Sequence, residues 1–407
     1  MLKLKKINLY DVLIKIILIY TMSTLVYKFS NKIQLNNILG ILCIIDISAI
    51  AIKKCKIKDF CILVFIICTN LSAIIMTHDF TITLDHILHF DSTILTLYII
   101  LNRSFRENIP IFLEKNNRLM KFVVYFSMII TAVTLFIPQC YANNTGEIVY
   151  AGLSNGSHTL ASCLCLINVV IMCYLKKQKF KPSQLILLGI SVFAIFKSGS
   201  RVYLLALLIL LILFYKDKIK KCSLKPIILL AMSFVIVNLF LSSSMFTRFV
   251  STTNNQYISE NPIEAMTSGR VIWWKYDIEA FNEFNVINKF LGNGFDCVYN
   301  INESRYGMKI WAHNDFIQLL LSIGILGLLI YIYIIIKCTI TIKKESNVKY
   351  NSILWFIYVI GSASFNGFYT QQHYVFSAIL LAYLMINNRK ENSDEMWSKG
   401  YSYNTNV

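Results

Sequence analysis

The residues with the most chemistry to offer are His313, Asn314 and Asp315, set side by side where a long polar stretch meets an apolar run at 317–336. A histidine with a near-neutral pKa can take a proton from an attacking hydroxyl. Two arginines stand in similar positions: Arg201 closes the break Ser198-Gly199-Ser200-Arg201, and Arg270 closes Ser268-Gly269-Arg270. Guanidinium groups grip phosphate oxygens in a fork and keep their charge. Two arginines and a histidine on one face of a membrane therefore suit chemistry on a lipid-linked phosphate or diphosphate. The arginines would stabilise the departing diphosphate as its charge develops. No Asp-x-Asp or clustered His/Asp/Glu set accompanies them, so no metal and no cofactor is expected, and the arginines take the metal's role. Plainer roles compete. Arg201 could snorkel to lipid headgroups, Arg270 could be an ordinary solvated side chain, and Asn314 or Asp315 could cap the helix that follows.

The elements that must hold these residues follow from composition. The 407-residue chain is 56% hydrophobic with a mean hydropathy of +0.58 and only 15% charged residues, which excludes an ordinary soluble globule. The net charge of +17 would raise nucleic-acid binding in a soluble protein. Here the basic residues cluster in short segments between apolar runs, as orientation signals do, so no nucleic acid is expected. The eleven cysteines form no CxxC pair, and a Cys140–Cys297 disulfide is left open. The basic start of the chain lacks a small-residue cleavage site, so an uncleaved first span is expected.

Apolar runs at 10–28, 34–52, 59–77, 82–101, 121–138, 157–175, 183–199, 202–215, 223–242, 315–336, 351–366 and 371–387 predict about twelve transmembrane helices. Basic segments at 1–6, 53–58, 103–121, 176–181, 216–225 and 337–349 alternate with basic-poor connections. The positive-inside rule then puts both termini in the cytoplasm. The expected fold is an all-α polytopic membrane protein with one large extracytoplasmic loop that contains helices. Its single integral membrane domain divides into helices 1–9 over 1–242, the loop over 243–312, helices 10–12 over 313–390 and a cytoplasmic tail over 391–407. Within the loop, 262–282 reads as a helix and Gly292-Asn293-Gly294 as a turn. Gly324 and Gly327, three apart, mark a helical face open to close backbone approach.

Four segments resemble the O-antigen ligase and polymerase superfamily. "FKSGSRVYLLALLILL" is similar to its Ser-Arg motif, and "SGRVIWWKYDIEAF…FLGNGF" to the arginine-bearing helix and Gly-rich turn of its large loop. "AHNDFIQLLLSIGILGLL" resembles its His-Asn motif, and "GLSNGSHTLAS" the start of a preceding span. The resemblance implies a metal-independent glycosyltransferase of the cytoplasmic (inner) membrane that uses undecaprenyl-diphosphate-linked glycans as donor and acceptor on the outer face. It implies Arg201 and Arg270 as diphosphate contacts and His313 as the general base. Ser200, Asn314, His158 and Lys197 are expected to bind substrate; Lys197 departs from the family's usual apolar or Thr position. A chain-length regulator and a flippase of the same pathway are the implied partners.

Polymerisation of lipid-linked repeat units is the preferred activity, on the ground that polymerases are the more varied half of the superfamily. Transfer of a finished glycan to lipid A–core is the alternative. A flippase stands behind both, because no internal repeat of the transporter kind is present. Asp46 and the group Asp85, His86, His89 and Asp91 could line a glycan or lipid groove, or be paired inside the bundle; His78 and His373 read as solvated loop residues.

Overall fold

The computed structural model describes residues 8–54, 60–144, 147–175, 182–219, 270–346, 348 and 350–386. The predicted span 223–242 and the first part of the predicted loop, through 269, lie outside the described residues. Seventeen helices and one two-stranded hairpin are described.

The first ten helices are α1 (Leu9–Leu25), α2 (Tyr27–Ser30), α3 (Leu35–Lys54), α4 (Phe60–Ile75), α5 (Phe80–Leu101), α6 (Arg103–Lys115), α7 (Asn117–Thr134), α8 (Ser157–Leu175), α9 (Pro182–Lys197) and α10 (Arg201–Ile219). After the undescribed stretch come α11 (Arg270–Glu283), α12 (Val286–Leu291), α13 (Cys297–Tyr306), α14 (Asp315–Ser322), α15 (Gly324–Glu345), α16 (Asn351–Phe365) and α17 (Gln372–Ile386). Three helices are long and apolar enough to cross a membrane: Leu35–Lys53, Phe80–Leu101 and Gly324–Glu345. The other apolar helices are shorter, so a count of twelve spans is not reached among the described residues.

Three expectations need correction and one open point is resolved. The fold is not wholly α: strands β1 (Tyr141–Asn144) and β2 (Glu147–Tyr150) pair antiparallel, with Tyr141 opposite Tyr150. The basic connection after α5 is itself a helix, α6. The disulfide left open between Cys140 and Cys297 is not formed, since both are buried free thiols. His373 is not solvated: it is buried at the head of α17, stacked 4.5 Å from the ring of Tyr20.

The fourth correction carries the most architecture. The run at 315–336 is not one helix but two, α14 and α15, broken at Ile323-Gly324. A helix end leaves carbonyls without intrahelical partners, and burying them unpaired is costly. Here the turn at 292–294 supplies the donors: the Asn293 amide reaches the Leu321 carbonyl at 2.8 Å and the Gly294 amide the Ser322 carbonyl at 3.1 Å. Gly292 and Gly324 both hold positive φ (84° and 69°), and each faces the other segment's backbone with no room for a Cβ. The close approach foreseen at Gly324 is therefore made to α12 and its turn rather than to another span.

The core runs through α8 and α17, whose residues are almost all buried, with α5 and α16 beside them. Tyr358 and Tyr374 stack at 4.2 Å with rings 3° from parallel, and the Trp355 indole donates to the Ala378 carbonyl at 3.0 Å. The connections sort to two ends. At one, Asp11 accepts from Lys115 and Asn116, and Asn351 donates to the Met385 carbonyl. At the other, buried Asp296 accepts from the Thr77 hydroxyl and from the His78 and Asp79 amides, tying the α4–α5 connection to α13. Residues 153–158, 198–200, 311–315 and 365–369 meet at that same end.

The break makes a direct prediction. Gly292→Ala or Gly324→Ala should destabilise the protein by more than the ~1 kcal/mol cost of a positive φ, because the added methyl also meets backbone. Gly307→Ala, where φ is 68° but the space is open, should cost only the backbone term. Thermal unfolding of the three variants in detergent checks the order.

Candidate functional site

His313 sits in the short connection between α13 and α14, and its backbone is held on both sides. The Ala312 amide donates to Gln318 Oε1 at 3.1 Å, and the Ala312 carbonyl accepts from the Trp274 indole at 2.7 Å. Gln318 is itself fixed by donating to the Phe295 carbonyl and to Ser322 Oγ. After His313, Asn314 caps α14, its side-chain oxygen accepting from the Phe316 and Ile317 amides at 2.9 and 3.2 Å. Between these anchors His313 adopts φ = 53°, a region most non-glycine residues avoid. Such conformations persist only where the surroundings over-determine them, and they concentrate at functional sites.

The imidazole lies between two indoles, with ring centres 4.5 Å from Trp311 and 6.3 Å from Trp273. Its Nδ1 is buried without a hydrogen-bond partner in the structure. Burial, then the nearby charge of Arg270, then His158, push its pKa down to about 3. The ring is therefore neutral throughout the physiological range, as a proton acceptor must be.

The structure thus brings His313, Arg270 and His158 together. His158, in the first turn of α8, joins Ser200 through a 3.0 Å contact between its Nδ1 and Ser200 Oγ. Ser200 lies in the α9–α10 break, where Ser198 Oγ donates to the Ile195 carbonyl and Gly199 takes φ = 68°. Arg201 is the next residue and starts α10. Lys197 ends α9 with its ammonium 5.6 Å over the ring of Phe193, so it is engaged on its own helix. The Arg270 guanidinium, at the first residue of α11, donates to the Phe365 carbonyl.

That carbonyl belongs to a segment the sequence reading did not single out. Residues 365–369, between α16 and α17, touch several parts of the group. Phe365 takes Arg270, and Asn366 donates to the Tyr203 hydroxyl of α10 at 3.2 Å. Gly367 lies so close under the Trp311 ring that a Cβ would collide with it. The Phe368 and Tyr369 amides donate to Asp315 Oδ2 at 2.8 and 3.1 Å, and the Tyr331 hydroxyl donates to the same oxygen at 2.7 Å. Asp315 is therefore not the cap of α14 but a buried clasp. Tyr369 also meets His86 Nδ1 at 2.7 Å, while His86 Nε2 meets Tyr299 at 2.8 Å. His86 is thus a paired structural group rather than a groove residue. Asp91 bonds Asn70, and Asp85 lies 3.7 Å from His89.

Asp277 on α11 was also missed. It is fully buried with neither carboxylate oxygen hydrogen-bonded, and burial pushes its pKa up to about 7 against the pull of Arg305.

The class this defines is a mostly helical, multi-pass membrane protein with a buried neutral histidine, an arginine and a second histidine gathered at one end of the bundle. Residues 185–332 match the family model described as O-antigen ligase, which supports the likeness to the O-antigen ligase and polymerase superfamily. Members of the family are membrane enzymes of glycosyl transfer, of ligase or polymerase type. The matched stretch contains Lys197, Ser200, Arg201, Arg270, His313 and Asn314, and stops short of His158 and the 365–369 segment. No curated protein matches the chain.

Asp315 offers a test of the geometry. Asp315→Asn keeps an oxygen for the three donors and turns its amide to the side where Oδ1 has no partner. Asp315→Ala leaves three buried donors unpaired, at about 1–3 kcal/mol each. Chemical unfolding should find the alanine variant far less stable than the asparagine variant.

Proposed function

We propose that this chain polymerises undecaprenyl-diphosphate-linked oligosaccharide repeat units into a surface polysaccharide on the outer face of the cytoplasmic membrane. The observation that carries the reading is a buried, neutral His313 whose Nδ1 has no hydrogen-bond partner, within the field of Arg270. With its proton on Nε2, the imidazole presents Nδ1 as a base. An acceptor sugar hydroxyl loses its proton to His313 as its oxygen attacks the anomeric carbon of the donor. The bond from that carbon to the diphosphate breaks, and the lipid diphosphate leaves with the electron pair. Arg270 and Arg201 are assigned to its developing charge. Ser200 and His158, in contact with each other, are assigned to the substrate, as is Asn314, which also caps the helix that follows His313. The indoles of Trp311 and Trp273 hold the ring and offer flat apolar faces beside it.

A pKa near 3 makes a weak base, and the same geometry supplies the remedy. A bound diphosphate opposes the positive field of Arg270, so His313 becomes more basic once the donor is seated. The acid limb of kcat, which reports the loaded enzyme, should therefore lie at higher pH than the acid limb of kcat/KM, which reports the free one. Coincident limbs in assays with lipid-linked donor would contradict a base under the arginine's field.

His313→Ala should leave an inserted, folded protein that makes no polymer, and wild-type polysaccharide length and yield would sink the assignment. Arg270→Ala and Arg201→Ala should each be severely impaired. Lysine at either position should rescue only in part, because a point charge lacks the guanidinium fork.

Ligation of a finished glycan to lipid A–core is the second reading, favoured by the description of the matched family. Both reactions use the same diphosphate and base. Deleting the gene separates them on a gel of surface glycan: attached single repeats without a ladder mark a polymerase, whereas accumulated lipid-linked polymer with nothing attached marks a ligase.

A further inference from the structure

The short helix α12 is turned inside out for a segment bathed in water. Its N-cap Asn285 accepts from the Asn288 amide, and the Asn288 side chain donates inward to Asn293 Oδ1. The outward side is largely apolar, with the N-cap Asn285 exposed beside it: Val286 is 71% exposed, Ile287 62% and Phe290 47%. A polar-in, apolar-out arrangement is favourable only where the surrounding solvent is itself apolar.

Position agrees with that pattern. The Leu291 carbonyl accepts from Ser72 Oγ of α4, so the end of α12 meets the end of an apolar helix whose own Ile74 and Ile75 face outward. On its other side, Phe290 and Gly292 press on the backbone of Gly324, the first residue of α15. That helix is long and apolar enough to cross a membrane, and its Leu326 and Leu329 are exposed. The apolar surface of α12 is thus continuous with the exposed apolar surfaces of two bundle helices. The covering partner is read from that continuity.

We propose that α12 is a membrane-seated helix, its Val286, Ile287 and Phe290 side chains lying in the acyl region of the leaflet at this end of the bundle. Amphipathic segments with large apolar side chains settle at that depth, with their polar side facing away from the chains. The Gly292–Gly324 contact then fixes the height of the α14 break, and with it the α11–α14 segment, relative to the lipid surface. This inference is independent of the transferase reading.

The test places a photoreactive benzoylphenylalanine at Ile287, at Val286 or at exposed Glu303 of α13, in the full-length protein held in nanodiscs of phosphatidylethanolamine and phosphatidylglycerol. On irradiation, mass spectrometry should find phospholipid adducts at 286 and 287 at least about tenfold above those at 303. Equal adducts at all three positions would overturn the proposal. So would capture of a protein chain at 286 and 287, which would show a second copy or another polypeptide covering the helix. The readout needs no glycan substrate, so loss of activity does not blur it.

Discussion

One carboxylate oxygen, Asp315 Oδ2, receives a phenol and two backbone amides from segments far apart in the chain. It binds the start of α14 to α15 through Tyr331 and to the 365–369 segment through the Phe368 and Tyr369 amides. That segment in turn holds Arg270 at Phe365, α10 at Asn366, Trp311 at Gly367 and His86 at Tyr369. Removing this acceptor would leave donors unpaired in a dry interior, where each costs more than its hydrogen bond contributes in water. The placement of His313 two residues earlier depends on this clasp. Its φ of 53° is maintained because Ala312 on one side and Asn314 on the other are both fixed.

Hydropathy read the helices well because a helix that faces lipid or a packed core needs a long apolar run whatever its neighbours are. Eleven of the twelve predicted runs fall on described helices, and the remaining one, 223–242, lies outside the described residues. Spacing failed where a helix had to stop for a tertiary reason. Gly324, in the left-handed region just past the cap, is a local stop, but the partners of the freed carbonyls are amides of a turn about thirty residues earlier. The Gly-Asn-Gly turn was legible, but its task of ending α14 was not.

The site shows the same division. His313 and Arg270 could be paired from their residue types and their company, and the structure sets them within each other's field. His158 was carried by resemblance alone, and its contact with Ser200 gives it a physical place. The 365–369 segment was invisible, because it contributes mainly carbonyl and amide groups that every residue possesses. Only Asn366-Gly367, a turn-forming pair, hinted at it. Asp315 was legible as a residue, with capping one of the roles left open for it. A carboxylate at a helix mouth suggests a cap, yet its acceptors' partners lie 53 and 54 positions downstream.

The lateness of that segment in the chain has a bearing on biogenesis. His86 waits for Tyr369, 283 residues later, and Asp315 and Arg270 wait for the same few residues. As helices enter the bilayer in order of synthesis, these polar groups are exposed without their final partners until α16 and α17 arrive. The nascent protein therefore passes most of its synthesis with its polar end unassembled. The last hairpin acts as a closing stitch, so quality control that senses unpaired polar groups would read its arrival as completion.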